Sequence, residues 1–203
     1  AAMSREGSVL RELRLGGNGA WSSGTCAALV EALGSASCVL EHLDASGSKL
    51  EPAEALTLAS SYLKTLTLGW WAIPVGALRS GTAVELVVSY TVLSDAEGAV
   101  LGELLKLTST LEVLRLSRCK VSAACLSSVS AGLKESQSSL RALHIDSLLH
   151  GDGESQVAQR LAQLLEAACA DRPSIEEIHF GNQAGAYGSI VTPDVLSHVC
   201  AAM

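Results

Sequence analysis

The 203 residues carry a net charge of −7, with 48% hydrophobic residues but only 3% aromatic ones. That length suits a single domain, 1–203, whose core is built from Leu, Val and Ala. The acidic balance argues against a nucleic-acid role, which leans on Lys and Arg to neutralise phosphates, and against docking on anionic membranes. In chain order, a short apolar strand at Leu10–Leu15 is followed by a helix over 21–35, with Leu29, Val30 and Leu33 on one side. A second strand at Leu40–Ala45 precedes a helix over 51–61, opened by Pro52 in the position where a missing N–H costs nothing. The third strand, Leu63–Leu68, is separated from the fourth, Ala83–Val88, by a stretch containing Pro74, Gly76 and Gly81. That stretch predicts an irregular or single-turn connection.

The second half is more regular. Ser94-Asp-Ala-Glu97 is a capping box, opening a helix with Val100, Leu104 and Leu107 as its apolar side. A strand at Leu111–Leu116 leads to a helix from Ser122 carrying Cys125, Leu126, Val129 and Leu133. After the strand Leu140–Ile145 comes the longest helical pattern, with Val157, Leu161, Leu164, Leu165 and Ala168 as a stripe that Pro173 ends. The strand Ile175–Phe180 and a last helix capped by Thr192 complete the series.

Each strand carries one pattern, Leu-x-x-Leu-x-Leu, clear at Leu10, Leu63, Leu111, Leu140 and Ile175 and weaker at Leu40 and Ala83. Recurrence of that core every 20–35 residues or so is the signature of a leucine-rich-repeat solenoid, because one such unit cannot bury its apolar side alone. The chain accordingly reads as an α/β solenoid of about seven strand–helix repeats. Steps of 28 and 29 residues separate Ala83, Leu111 and Leu140. Units of that length resemble the ribonuclease-inhibitor-like subfamily of intracellular leucine-rich repeats, and the resemblance implies a horseshoe with a parallel sheet on the concave side and helices on the convex side. The Asn or Cys of that family's ninth position is kept as Asn18 and Cys119; Ser48, Trp71, Thr91, Leu148 and Gln183 stand there in the other units.

Alternation along a strand sends the third, fifth and seventh positions to the concave face. Adjacent strands then allow Arg14 to pair with Asp44 and Glu12 with His42, and they leave Arg115, His144 and His179 facing a partner. The eighth position, at the lip of the sheet, reads Gly17, Gly47, Trp70, Tyr90, Arg118, Ser147 and Asn182. Trp, Tyr and Arg are the types enriched in binding hot spots, so Trp70, Tyr90 and Arg118 are the foremost candidates for partner contact. The opposing expectation is packing in the gap left by the missing third helix, with Trp71 the packing residue of the Trp70–Trp71 pair. His144, Asp146, Glu177 and His179 share one face and are of metal-ligating type. Solvated surface explains them as well, and the reading assigns no metal, no cofactor and no catalytic residue.

The six cysteines show no paired spacing suited to zinc, and Cys26, Cys125 and Cys169 sit in apolar helical stretches. Buried free thiols in a reducing compartment follow, with no membrane span and a cytoplasmic location. A removed presequence leaves an organelle open. Cys200-Ala-Ala-Met203 has the form of a prenylation box, but Val195, Leu196, Val199 and Cys200 equally fit the buried side of a terminal helix, so lipidation is not the favoured reading. The function expected is a non-enzymatic protein–protein interaction scaffold, including a structural subunit of a larger assembly whose neighbours cover the repeat ends. The alternative is an enzyme regulator resembling the Ran GTPase activators, for which Arg118 and Asn182 are the residues of suitable type.

Overall fold

A computed structural model describes residues 9–146, 149–150, 154–169, 175–181, 184–185 and 188–189. Strand β1 (Glu12–Arg14) is followed by helix α1 (Ser23–Leu33), β2 (His42–Asp44), α2 (Pro52–Ala59), β3 (Thr65–Thr67), β4 (Ala72–Ile73) and the five-residue α3 (Val75–Arg79). The chain continues through β5 (Glu85–Ser89), β6 (Val92–Leu93), α4 (Asp95–Leu107), β7 (Val113–Ser117), β8 (Lys120–Val121) and α5 (Ala123–Glu135). Then come β9 (Ala142–Asp146), β10 (Leu149–His150), α6 (Glu154–Cys169), β11 (Glu177–Gly181), β12 (Ala184–Gly185) and β13 (Gly188–Ser189). The last expected helix and the Cys200-Ala-Ala-Met203 end lie outside the described residues.

The helices start where side chains replace the missing backbone acceptors. Ser22 and Ser122 accept from the N–H groups of Thr25 and Cys125 at 3.2 and 3.0 Å. Pro52 opens α2 inside a box made by Glu51 and Glu54, and Ser94 with Glu97 forms the expected box on α4. The third connection, expected to be irregular or a single turn, consists of the β4 fold-back followed by the single turn α3. The Arg79 guanidinium ties it back by donating to the carbonyls of Ala59, Ser61 and Leu63.

Strand register follows the leucine pattern residue by residue. Leu13, Leu43 and Leu66 pair across β1, β2 and β3, and Leu86, Leu114, Leu143 and Ile178 across β5, β7, β9 and β11, all parallel. Leu43, Leu66, Leu86, Leu114 and Leu143 are buried. Leu13 and Ile178 are only half-buried, and β1 and β11 are the end strands of their sheets among the described residues. The expectation of one seven-stranded sheet needs correction. β4 folds back antiparallel on β3, pairing Leu66 with Ile73 and Thr67 with Ala72, and so occupies the edge on which a parallel neighbour would dock. The parallel strands therefore form two sheets, β1-β2-β3-β4 and β5-β7-β9-β11, with a second ladder β6-β8-β10.

One apolar cluster runs from Cys26 to Ala168 through both sheets and the helices. Inside it α4 and α5 approach along glycines. A Cβ on Gly98 would stand 2.6 Å from Cys125 Cα, one on Gly102 2.4 Å from the Ser128 carbonyl oxygen, and one on Gly132 2.1 Å from the Gly102 carbonyl oxygen. Leu107, expected on the apolar side of α4, is 61% exposed; Leu101 and Leu105 are buried in addition to Val100 and Leu104. Among the described cysteines all are free, with Cys26, Cys119 and Cys125 buried. Burial pushes the Cys125 thiol up to about 12, so it is an inert apolar group at neutral pH. No described helix is long and apolar enough to cross a membrane.

Candidate functional site

The lip is built by a backbone device that recurs at one position of the repeated pattern. Beyond β1, β2, β5 and β7, the N–H of Gly17, Gly47, Tyr90 and Arg118 donates to a carbonyl of the neighbouring segment: Ser46, Leu68, Ser117 and Asp146, at 2.9, 3.3, 3.0 and 2.7 Å. This prolongs the pairing past the strand ends, after which the chain must swing away. All four residues do so in the left-handed region, with φ of 77°, 73°, 54° and 52°. Glycine adopts that region freely, whereas a residue with a Cβ loses roughly 1–2 kcal/mol there. Two units accept that penalty and place a large side chain outward.

Those two side chains come together. The Arg118 guanidinium carbon lies 5.2 Å from the centre of the Tyr90 ring, a cation–π arrangement worth about 0.5–1 kcal/mol at an exposed site. Tyr90 is 73% exposed and Arg118 is exposed too. Trp70 projects from the tip of the β3–β4 hairpin at 88% exposure and makes no ring contact with either residue among the described ones. Packing in the gap of the third unit is thus ruled out for Trp70. Trp71 does pack on the core, as expected of it.

Beneath the hairpin tip lies Glu97, a carboxylate expected from the sequence only as a helix cap. Glu97 is 1% exposed; its Oε2 accepts from Ser94 N–H and Ser94 Oγ–H, both at 2.8 Å. Its Oε1 would be 2.9 Å from a Cβ on Gly69, the residue before Trp70. Burial pushes the Glu97 carboxyl above its ordinary value, opposed by the Ser94 donors and the Gly69 amide. A raised carboxyl pKa means that folding favours the protonated form. This contribution is complete below the ordinary glutamate value of 4.5 and is lost as pH rises through the raised value. The stability of Glu97→Gln relative to the parent is therefore expected to increase from pH 4 to pH 7.5, as read by urea denaturation at both.

On the strand face the expected pairs are replaced by shorter-range ones. Arg14 donates to Glu12 at 2.6 Å on its own strand instead of meeting Asp44, whose carboxylate accepts from Ser46 N–H at 2.9 Å. His42 hydrogen-bonds Thr65 Oγ1 at 2.7 Å instead of reaching Glu12. Arg115 donates to Glu85 at 2.7 Å. His144 is not the solvated side chain expected: only 12% of it is exposed, between Arg115 on β7 and His179 on β11, both in register with it. The His144 and His179 rings stack with centroids 5.6 Å apart, and His144 Nε2 lies 3.7 Å from Glu177 Oε1. Burial, then the Arg115 charge, lower the His144 pKa, keeping the ring neutral at pH 7. Asp146 is not part of the cluster that His144, Glu177 and His179 form.

The structure brings Tyr90 and Arg118 together on the lip, leaves Trp70 apart on the β3–β4 hairpin tip, and places Arg115, His144 and His179 on the strand face. Ser147 and Asn182, the other lip positions, lie outside the described residues. Gly17 and Gly47 in the lip column were the sequence signal for the left-handed turn, since two glycines at one repeat position mark a backbone need. No protein-family model matches this chain, and no curated protein is similar to it.

Proposed function

We propose that this chain is a leucine-rich-repeat solenoid of the ribonuclease-inhibitor-like kind, a curved non-enzymatic scaffold whose Trp70–Tyr90–Arg118 lip docks a protein partner. The solenoid reading is supported by the in-register stacking of equivalent leucines in parallel strands. The observation that carries the docking surface is the exposed Tyr90–Arg118 stack on two left-handed backbone positions. Glycine does the same backbone work at positions 17 and 47 without strain. A fold that holds Tyr and Arg there retains them for what their side chains meet. Aromatic and guanidinium groups of this kind give large contact areas, worth 2 kcal/mol or more each when well buried in an interface.

The test is a Trp70→Ala/Arg118→Ala double variant, compared with Tyr62→Ala, whose side chain is equally exposed at 88%. The partner is first captured from native lysate and its affinity is then measured by calorimetry. The double variant is expected to weaken that affinity about a hundredfold or more, while Tyr62→Ala changes little. Unchanged affinity in the double variant removes the lip from the interface. Co-migration with the partner in one large particle on size-exclusion chromatography identifies a structural subunit. Stimulated GTP hydrolysis by a small GTPase, lost in Arg118→Ala, identifies the regulator instead.

A companion prediction separates binding from folding. Tyr90→Gly/Arg118→Gly relieves two strained turns but gives up the cation–π contact and adds glycine entropy to the unfolded chain. These terms offset one another, so urea denaturation is expected to move by less than about 1 kcal/mol. Partner affinity should nevertheless fall as in the alanine variant.

A further inference from the structure

We propose that His144, Glu177 and His179 form a binding site for a divalent metal ion of the zinc class, which clips strand β11 to strand β9. Neither the lip nor the scaffold reading is needed for this site.

The donors come from two hydrogen-bonded strands. His179 pairs in register with His144, and Glu177 lies two residues earlier on the same face of β11. One nitrogen of each imidazole and one oxygen of the carboxylate lie within 4.8 Å of one another. In a tetrahedral zinc site with bonds of about 2.0–2.1 Å, donors stand roughly 3.3–3.5 Å apart. The 3.7 Å between His144 Nε2 and Glu177 Oε1 is already close to that. The remaining contraction falls on Glu177 and His179, both exposed and able to change rotamer, around a His144 that is held in place.

The decisive feature is the state of His144. Its Nε2 is buried and has no hydrogen-bond partner among the described residues. A buried imidazole nitrogen without a partner forfeits its hydration, which a metal–nitrogen bond would replace. The surrounding charges are Arg115 and Glu85 on one side and Glu177 and His179 on the other. Arg115 opposes a cation, but its guanidinium is bound to Glu85 at 2.7 Å. Glu177 adds one negative charge at the donor position itself. Two imidazoles and one carboxylate match zinc, cobalt or nickel rather than magnesium or calcium, which take oxygen donors. Three protein ligands leave the fourth position to water.

The experiment is calorimetric titration of untagged full-length protein with Zn²⁺ alone at pH 7.5, beside thermal unfolding with and without Zn²⁺. One equivalent is expected to bind with Kd of about 10 µM or tighter, and the unfolding temperature should rise, since the donors are brought together only in the native state. Co²⁺ should give the visible absorption of a tetrahedral or five-coordinate N/O site. His179→Ala removes an exposed side chain, leaves the fold intact, and is expected to weaken binding at least about tenfold and abolish the thermal shift. His144→Ala should do the same, while His42→Ala, on the same face of β2, should bind as the parent does. Binding that persists in His179→Ala, or no binding by the parent protein at about 100 µM Zn²⁺, overturns the proposal.

Discussion

Gly132→Ala is expected to destabilise the protein by roughly 3 kcal/mol or more, against the sign that helix propensity alone assigns. In an open helix the same change stabilises by about 0.8–1 kcal/mol. Here the added methyl would stand 2.1 Å from the Gly102 carbonyl oxygen and 2.7 Å from its carbonyl and α carbons. These are backbone atoms of α4, so no side chain can turn aside; the two helices must separate and unpack Leu101, Leu105, Leu126 and Leu133. Overpacking of a tight core costs about 1–3 kcal/mol and more where backbone is displaced. Gly24→Ala in α1 is the control, because its Cβ would meet only Ser22 Oγ, at 3.8 Å. Urea denaturation should show Gly24→Ala neutral or slightly stabilising and Gly132→Ala strongly destabilising. Equal effects would mean that the helices do not touch along these glycines.

Leu114→Ala is expected to cost roughly 2–5 kcal/mol. Leu114 is 1% exposed on β7, in register with Leu86 on one side and Leu143 on the other, so the emptied space is walled by leucines that strand hydrogen bonds hold in place. A site that cannot collapse sits at the upper end of that range. Leu13→Ala, at the half-buried end of the first sheet, should cost clearly less. If the two variants unfold at the same urea concentration, the layered packing derived from the register is wrong.

The leucine column was legible in the sequence because its period is imposed by burial. Every strand must send the same position inward, and the pattern Leu-x-x-Leu-x-Leu states that directly. The helix starts at Pro52, Ser94 and Ser122 were legible for a similar reason, since each rests on chemistry local to one turn, whereas Ser22, placed inside an expected helix over 21–35, is in fact the cap of α1. The fold-back of β4 was not. The short spacing between Leu63 and Ala83 excluded a full helix, but the choice between a loose loop and an antiparallel hairpin depends on which edge of β3 is free. The α4–α5 contact was missed because attention to apolar periodicity overlooks glycines. Gly98, Gly102 and Gly132 pack by having no side chain.

At the candidate sites the residue types were legible and their surroundings were not. Trp70 and Trp71 are adjacent and similar, yet the tight hairpin turns one outward and one onto the core. His144 was readable as a face residue, but its burial depends on the lengths of Arg115 and His179 beside it. The left-handed turn beneath Tyr90 and Arg118 was present in the sequence only as glycine at two sister positions.

Coverage of the Trp70–Tyr90–Arg118 lip by a partner is read by site-specific photocrosslinking, with the same photoreactive residue placed at position 70 and, separately, at position 62. Both side chains are 88% exposed, so accessibility alone treats them alike. A covalent adduct is expected between position 70 and the natively captured partner, with little or none from position 62. An adduct from position 62 with none from position 70 would show that the partner does not dock on the lip.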